Sequence, residues 1–310
     1  MVVPPQAPES LLRRLEWTVL RRLDGLLHGS YRTLFRGAGL DLADVREYQT
    51  HDDVRHIDWN VTARLQSLHV RQYIEDREIV GWFLLDLSPS VNFGSQVSKC
   101  KVLEQLVAVL ARVLTRHGNP VGAILYGVGI EAVIPPATGR RQVLRILRTL
   151  LDRPKPAQAV RTDLGELLRT AMQVMPRRSM VFLVSDFIST PGWPKALAQL
   201  GWRHEVVALR LYDPAERELP KFGLGLVQDV ETGEQLFVDA DDRVFRERYA
   251  AAVRRRESEV LGALADAGVD ALELSTNDDL LETLLRFAVL RKRRGLSTVG
   301  LSRHLEALAP

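Results

Sequence analysis

Between residues 79 and 290 the chain alternates short apolar runs with longer stretches whose apolar residues recur at helical spacing. No other feature restricts the fold as much. Ile79–Leu85, Val121–Tyr126, Met180–Ser185 and Glu205–Leu211 read as buried strands, Ala271–Leu274 as a last one, and Glu131–Ile134 as a candidate short one before Pro135 and Pro136. Lys99–Arg116 reads as a helix with Val102, Leu103, Leu106, Val109, Leu110 and Val113 on one side and Gly118 as its stop. Arg140–Leu151, Asp163–Met175, Pro194–Leu200, Val244–Ala267 and Asp279–Leu290 read as further helices, and Leu224–Asp239 as a hairpin turning at residues 231–234. Strands alternating with helices predict an α/β fold: a doubly wound, mostly parallel sheet flanked by helices. In such sheets ligands sit beyond the carboxyl ends of the strands, so chemistry is sought first after Leu85 and Ser185.

Ahead of this region lies an N-terminal extension, residues 1–78. Residues 1–10 hold three prolines and read as a loose tail, Leu11–His28 has helical periodicity, residues 29–64 are dense in charge, and Leu68–Ile74 reads as a strand. The expected division is the extension, an α/β domain over residues 79–290, and a basic C-terminal tail over 291–310. With 310 residues there is ample chain for a buried core. One cysteine, Cys100, precludes an internal disulfide and suits a reducing compartment. No apolar run approaches the roughly 20 residues of a membrane helix, and no signal peptide is visible at the start. The expected location is cytoplasmic.

Asp86, Ser88 and Ser90 follow the first buried strand at alternate positions. A turn at a strand end can aim one carboxylate and two hydroxyls at a single point. Hard oxygen donors suit Mg²⁺ or Mn²⁺, with Ca²⁺ admissible, rather than zinc or copper. Taken alone the pattern is weak, because an Asp and two Ser also satisfy a turn's own backbone. Thr162 precedes a helix and has a bland reading as a cap near Glu166; Asp186 follows the strand Met180–Ser185 and has a bland reading as a turn residue.

Together Asp86, Ser88, Ser90, Thr162 and Asp186 resemble the three segments of the metal-ion-dependent adhesion site of von Willebrand factor A domains. They occur in that family's order: after the first strand, before a helix, after the fourth strand. The likeness spans roughly residues 79–275. It implies a binding protein that holds a divalent metal with one open position for a partner's carboxylate. Asp86 would carry the main direct charge, Ser88 and Ser90 would supply hydroxyls, and Thr162 and Asp186 would bind directly or through water. A second likeness covers residues 41–87. Asp44 to Gln49, Asp52 and Asp53, Arg55 to Trp59, Ala63 and Arg64, Val70 to Tyr73 and Glu75 to Glu78 resemble the hallmark of the bacterial domain of unknown function 58, continued by Gly139 to Arg141. Members are often encoded beside MoxR-type AAA+ ATPases, so the resemblance implies such an ATPase, or another protein supplying a carboxylate, as partner. Within the hallmark, Arg55, Asp58, Trp59 and Arg64 are candidate partner-binding residues. The bland reading there is a salt-bridged flap.

Other chemistries have less support. There is no phosphate-cradling G-x-x-x-x-G-K-[ST] loop and no G-x-S-x-G elbow, and Cys100 opens an apolar helix, where a packed thiol is the simpler reading. No enzyme activity is expected. The enzyme alternative is a metal-dependent phosphoester hydrolase using His51, Asp52, Asp53, His56 and Asp58, whose spacing matches no metal site that can be justified. Arg254–Arg256 and Arg291–Arg294 offer a nucleic-acid alternative. Lys plus Arg (42) barely exceeds Asp plus Glu (39), however, and no aromatic residues interleave the runs, so nucleic acid is not the expected partner.

Overall fold

In the computed structural model the apolar runs pair side by side into one sheet. The structure describes residues 7–16, 45–49, 54, 57–71, 79–153, 161–219, 222–228, 231 and 233–295. Contacts divide the chain into two units: residues 35–78, and residues 1–34 with 79–310.

The larger unit opens with α1 (Pro8–Leu15), so the expected loose tail gives way to a helix at Pro8, a residue suited to a first helical position. Leu11, Leu12 and Leu15 are buried, and α1 packs on the helices Lys99–Arg116 and Gly139–Leu151. Residues 17–28 of the expected Leu11–His28 helix lie outside the described residues. In the smaller unit, β1 (Val45–Glu47) pairs antiparallel with β2 (His69–Arg71), and α2 (Trp59–Leu65) lies between them in sequence. Leu68 precedes the strand, and residues 72–74 of the expected Leu68–Ile74 strand lie outside the described residues.

The sheet is built from β3 (Gly81–Asp86), β4 (Val121–Tyr126), β5 (Ile130–Ala137), β6 (Met180–Ser185), β7 (Glu205–Tyr212) and β10 (Asp270–Ser275). Their spatial order is β5-β4-β3-β6-β7-β10, all parallel except β5, which runs antiparallel on the edge. Numbered among themselves the strands run 3-2-1-4-5-6, the doubly wound order whose reversal lies between the first strand and the fourth. That places the switch point between β3 and β6. Both strands are buried along their whole length, as an interior parallel strand must be.

Helices cover both faces: α3 (Lys99–Arg116) and α4 (Gly139–Leu151) on one, α5 (Leu164–Val174), α6 (Trp193–Arg203) and α8 (Arg243–Asp266) on the other. Alternation along the strands supplies both cores. Trp82 and Leu84 join Leu167, Leu168, Leu197 and Leu200 beneath α5 and α6, while Phe83 stacks on Phe182 of the neighbouring strand, ring centroids 5.2 Å apart. Ser98 caps α3 by accepting from Lys101 N, and Gly118, at φ 83°, turns the chain out of it. A short helix α7 (Pro214–Arg217) follows β7, then the hairpin β8 (Leu224–Gln228) and β9 (Gln235–Asp239), with Leu226 opposite Phe237. The last helix, α9 (Leu280–Gly295), runs on past residue 290, so Arg291–Arg294 is helical rather than tail. Among the described residues no helix is long and apolar enough to cross a membrane.

Candidate metal centre

Four of the five predicted ligands are delivered to the switch point by β3 and β6. Asp86 is the last residue of β3 and is fully buried. Its Oδ1 accepts from Ser88 N at 3.0 Å and its Oδ2 from Ser185 Oγ at 2.6 Å. Ser88 precedes and Ser90 lies within a 3-10 turn (Pro89–Asn92) that places their hydroxyl oxygens 3.1 Å apart, both buried. Asp186 follows β6, and its Oδ1 accepts from Ile188 N at 2.9 Å. The turn contacts of the bland readings are therefore present, yet they leave these oxygens gathered in one place.

The loop after β6 is held in an unusual shape. Phe187 has φ 59°, the left-handed region that a bulky residue rarely enters. Its amide donates to Ser185 Oγ at 2.8 Å, and its ring packs on Trp193 with centroids 5.1 Å apart. Ser185 thus ties Asp86 and the backbone after Asp186 together through one hydroxyl. Strain kept at a strand end marks a site whose geometry the surroundings enforce.

Thr162 arrives from the segment before α5. Thr190 N and Ser189 Oγ both donate to its carbonyl, at 2.9 and 3.1 Å, which fastens this segment to the loop after β6. The residue at the start of α5 in cap position is Asp163, not Thr162, and it makes no side-chain capping bond. The Thr162 hydroxyl is turned instead to Glu231, donating to Oε2 at 2.8 Å.

Three contributors were not legible in the sequence. Glu231, from the β8–β9 turn, is buried and also accepts from the amides of Ser90 (3.2 Å) and Thr162 (3.1 Å). Lys99, the first residue of α3, is fully buried and donates to Asp186 Oδ2 at 2.7 Å and to Glu216 Oε1 at 2.6 Å. Burial depresses the Lys99 ammonium, but the two carboxylates outweigh that, and its pKa lies above the ordinary lysine value. Ser185 is the third. A lysine opening an otherwise apolar helix was the available signal for Lys99; Glu231 offered none beyond its place in a turn.

Charge decides what the site can hold. Among the described residues, the ammonium of Lys99 is engaged by Asp186 and Glu216, and the hydrogen bonds to Asp86 come from Ser88 and Ser185. Burial, and then the neighbouring Asp186, push the Asp86 carboxyl up to about 7, against the hydrogen bonds from Ser185 and Ser88 that favour its ionised form. A divalent cation would supply the missing positive charge. The donors are carboxylate and hydroxyl oxygens, the set that hard cations take. Among the described residues no three His, Cys, Asp or Glu side chains converge as a metal-holding group, so a cation here would rest on two aspartates assisted by hydroxyls. Oxygen donors of this kind suit such an ion, and Asp86, Ser88, Ser90, Thr162 and Asp186 are the residues that would hold it.

Of the candidate partner-binding residues, Asp58 is buried and caps α2, accepting from Asn60 N (3.0 Å) and Val61 N (3.2 Å). Trp59 is 68% exposed and Arg64 is exposed. Arg55 lies outside the described residues, as do His51, Asp52, Asp53 and His56 of the histidine–aspartate cluster. In the basic run of α8, Arg255 pairs with Glu259 one turn on, at 2.9 Å, both side chains exposed.

Among solved structures the chain is similar to an aerotolerance-related membrane protein from Bacteroides fragilis NCTC 9343, at 13% identity and a TM-score of 0.48 over 70% of this chain and 99% of that one. It is also similar to the SpRpn10 VWA domain, at 12% identity and a TM-score of 0.39 over 67% and 93% of the two chains. An uncharacterized protein of Mycobacterium tuberculosis (strain ATCC 25618 / H37Rv) is 35% identical over 289 residues, 92% of this chain and 90% of that protein. Residues 44–259 match the family model described as "Protein of unknown function DUF58". The chain belongs to the DUF58 family.

Proposed function

We propose that the chain is a metal-dependent protein-binding module, and that its partner is a MoxR-type AAA+ ATPase. What supports this reading is the placing of Asp86, Ser88, Ser90 and Asp186 at the carboxyl ends of β3 and β6, with Thr162 joined to Ser90 through Glu231, beside a buried carboxyl that burial and Asp186 push up to about 7. Mg²⁺ or Mn²⁺, with Ca²⁺ admissible, would bind there and leave one position for a carboxylate of the partner. The ATPase rests on the family resemblance, the carboxylate on the chemistry of the site. On this reading the module works by binding, without turnover, in the cytoplasm.

The test is calorimetry with Mn²⁺ followed by capture of the purified ATPase. One oxygen-ligated site is expected for the wild-type chain and none for Asp86→Ala, with the fold intact because hydrogen bonds and packing, not the metal, hold these buried residues in place. ATPase capture should fall in Asp86→Ala and after EDTA. Equal Mn²⁺ affinity in the variant would remove the metal site, and equal capture in all three samples would remove the metal from the contact. Phosphoester hydrolysis abolished by Asp58→Ala would turn the reading to the hydrolase alternative.

A further inference from the structure

The carboxylate of Glu231 comes to the candidate site from 141 residues beyond Ser90 and 69 beyond Thr162 in sequence. It spans two of the three ligand-bearing segments. Oε1 accepts from the Ser90 amide, and Oε2 from the Thr162 amide and hydroxyl. Ser90 and Thr162 are two of the residues to which a partner's carboxylate would have to come close. We propose that Glu231 is an intrachain ligand of this site, so that the β8–β9 hairpin caps it and an acidic side chain presented on a turn of another protein binds only by displacing that cap. The inference rests on the metal-site reading for the meaning of the displacement, but the seating of Glu231 stands on hydrogen bonds alone.

Two features make the cap removable. The hairpin has two strands, a unit marginal by itself in water. Its apolar side chains add little, since Leu226 is 60% and Phe237 67% exposed. It is secured at its base, where Val238 and Ala240 are buried, Ala240 N donates to Gly223 O at 2.8 Å and Arg246 Nη1 reaches Ala240 O at 3.3 Å. At its tip the described hold on the site is the Glu231 carboxylate. A base that stays while a tip lets go is a tether, and a tethered carboxylate acts at an effective concentration in the millimolar range. An outside carboxylate must compete with it, and its apparent affinity falls by the fraction of time the site is uncapped. The tip also defines what the site accepts: a glutamate-length carboxylate on a turn, small enough at its flank to carry Gly233 at φ 74°.

The experiment uses the full chain, Glu231→Ala, Glu231→Gln, and a synthetic peptide with the sequence of residues 222–240 as the external probe. Amide hydrogen exchange is read without metal at Ser90 and Thr162. Both should exchange about tenfold or more faster in Glu231→Ala, as expected when a hydrogen-bonded acceptor is lost, and unchanged exchange overturns the cap. With Mn²⁺ present, the peptide should bind Glu231→Ala at least about tenfold tighter than wild type, and a peptide carrying Gln at position 231 should bind neither. Equal peptide affinity for wild type and Glu231→Ala also overturns it. Should Mn²⁺ fail to bind the wild-type chain while exchange quickens in the variant, the cap stands and the metal reading falls. Should Mn²⁺ bind while exchange is unmoved, the reverse holds.

Discussion

Among the described residues Asp86 carries the clearest pH signature. In the folded, metal-free protein its carboxyl holds a proton up to about 7, against an ordinary value of 3.8. The unfolded chain therefore loses this proton first. Between about pH 4 and 7 the metal-free fold loses stability as pH rises, and above 7 the loss is complete. A cation must displace the same proton, so Mn²⁺ affinity should climb by roughly a factor of ten per pH unit up to about 7 and then level off. Calorimetry at pH 5.5, 6.5, 7.5 and 8.5 reads this directly, and a flat profile would show that Asp86 is not the ligand that titrates. Lys99 makes a second expectation. Lys99→Met leaves Asp186 and Glu216 without their buried cation and should cost about 3–5 kcal/mol in urea unfolding; a loss under 1 kcal/mol would mean that the pair is solvated. The five candidate residues could be singled out in the sequence because each lies near a strand or helix end that local patterning marks. Glu231 and Lys99 could not, since what gives them meaning is a partner 87 or more residues distant (Lys99–Asp186, Glu231–Ser90) that only the folded topology brings near.

The elements themselves were legible wherever burial is two-sided. β3, β4 and β6 are runs of apolar residues because both their faces are covered, and α3 shows its inward stripe plainly. β5 was seen as Glu131–Ile134 only, yet it runs Ile130–Ala137 through Pro135 and Pro136. Prolines fit there because β5 is an antiparallel edge strand, whose outer amides need no neighbour. α8 is 24 residues long with only Val260 and Leu264 buried, so its length came from helix-forming residues rather than from an apolar stripe. Gly122 is the most demanding position within the sheet. A Cβ there would stand 2.9 Å from both the carbonyl oxygen of Ile134 and the ring of Trp82. Gly122→Ala should therefore cost about 1–3 kcal/mol by overpacking, measured as a lower urea midpoint with an unchanged slope. A neutral result would show that β5 moves aside freely.

For the molecule as a whole, the doubly wound sheet of the larger unit brings the proposed site to the carboxyl ends of β3 and β6, which Glu231 already reaches. That contact has a consequence in time. If a ligand can enter only after the hairpin tip lifts, the observed association rate cannot rise without limit as the probe is made more concentrated; it must saturate at the rate of lifting. Stopped-flow mixing of the Mn²⁺-loaded chain with the residue 222–240 peptide should then give a plateau for the wild type and a straight line for Glu231→Ala, approaching the 10⁵–10⁷ M⁻¹s⁻¹ range of ungated encounters. A straight line for both would show a site that stands open. A plateau would mean that the speed at which this protein answers its partner is written into a hairpin, and stays the same however abundant that partner becomes.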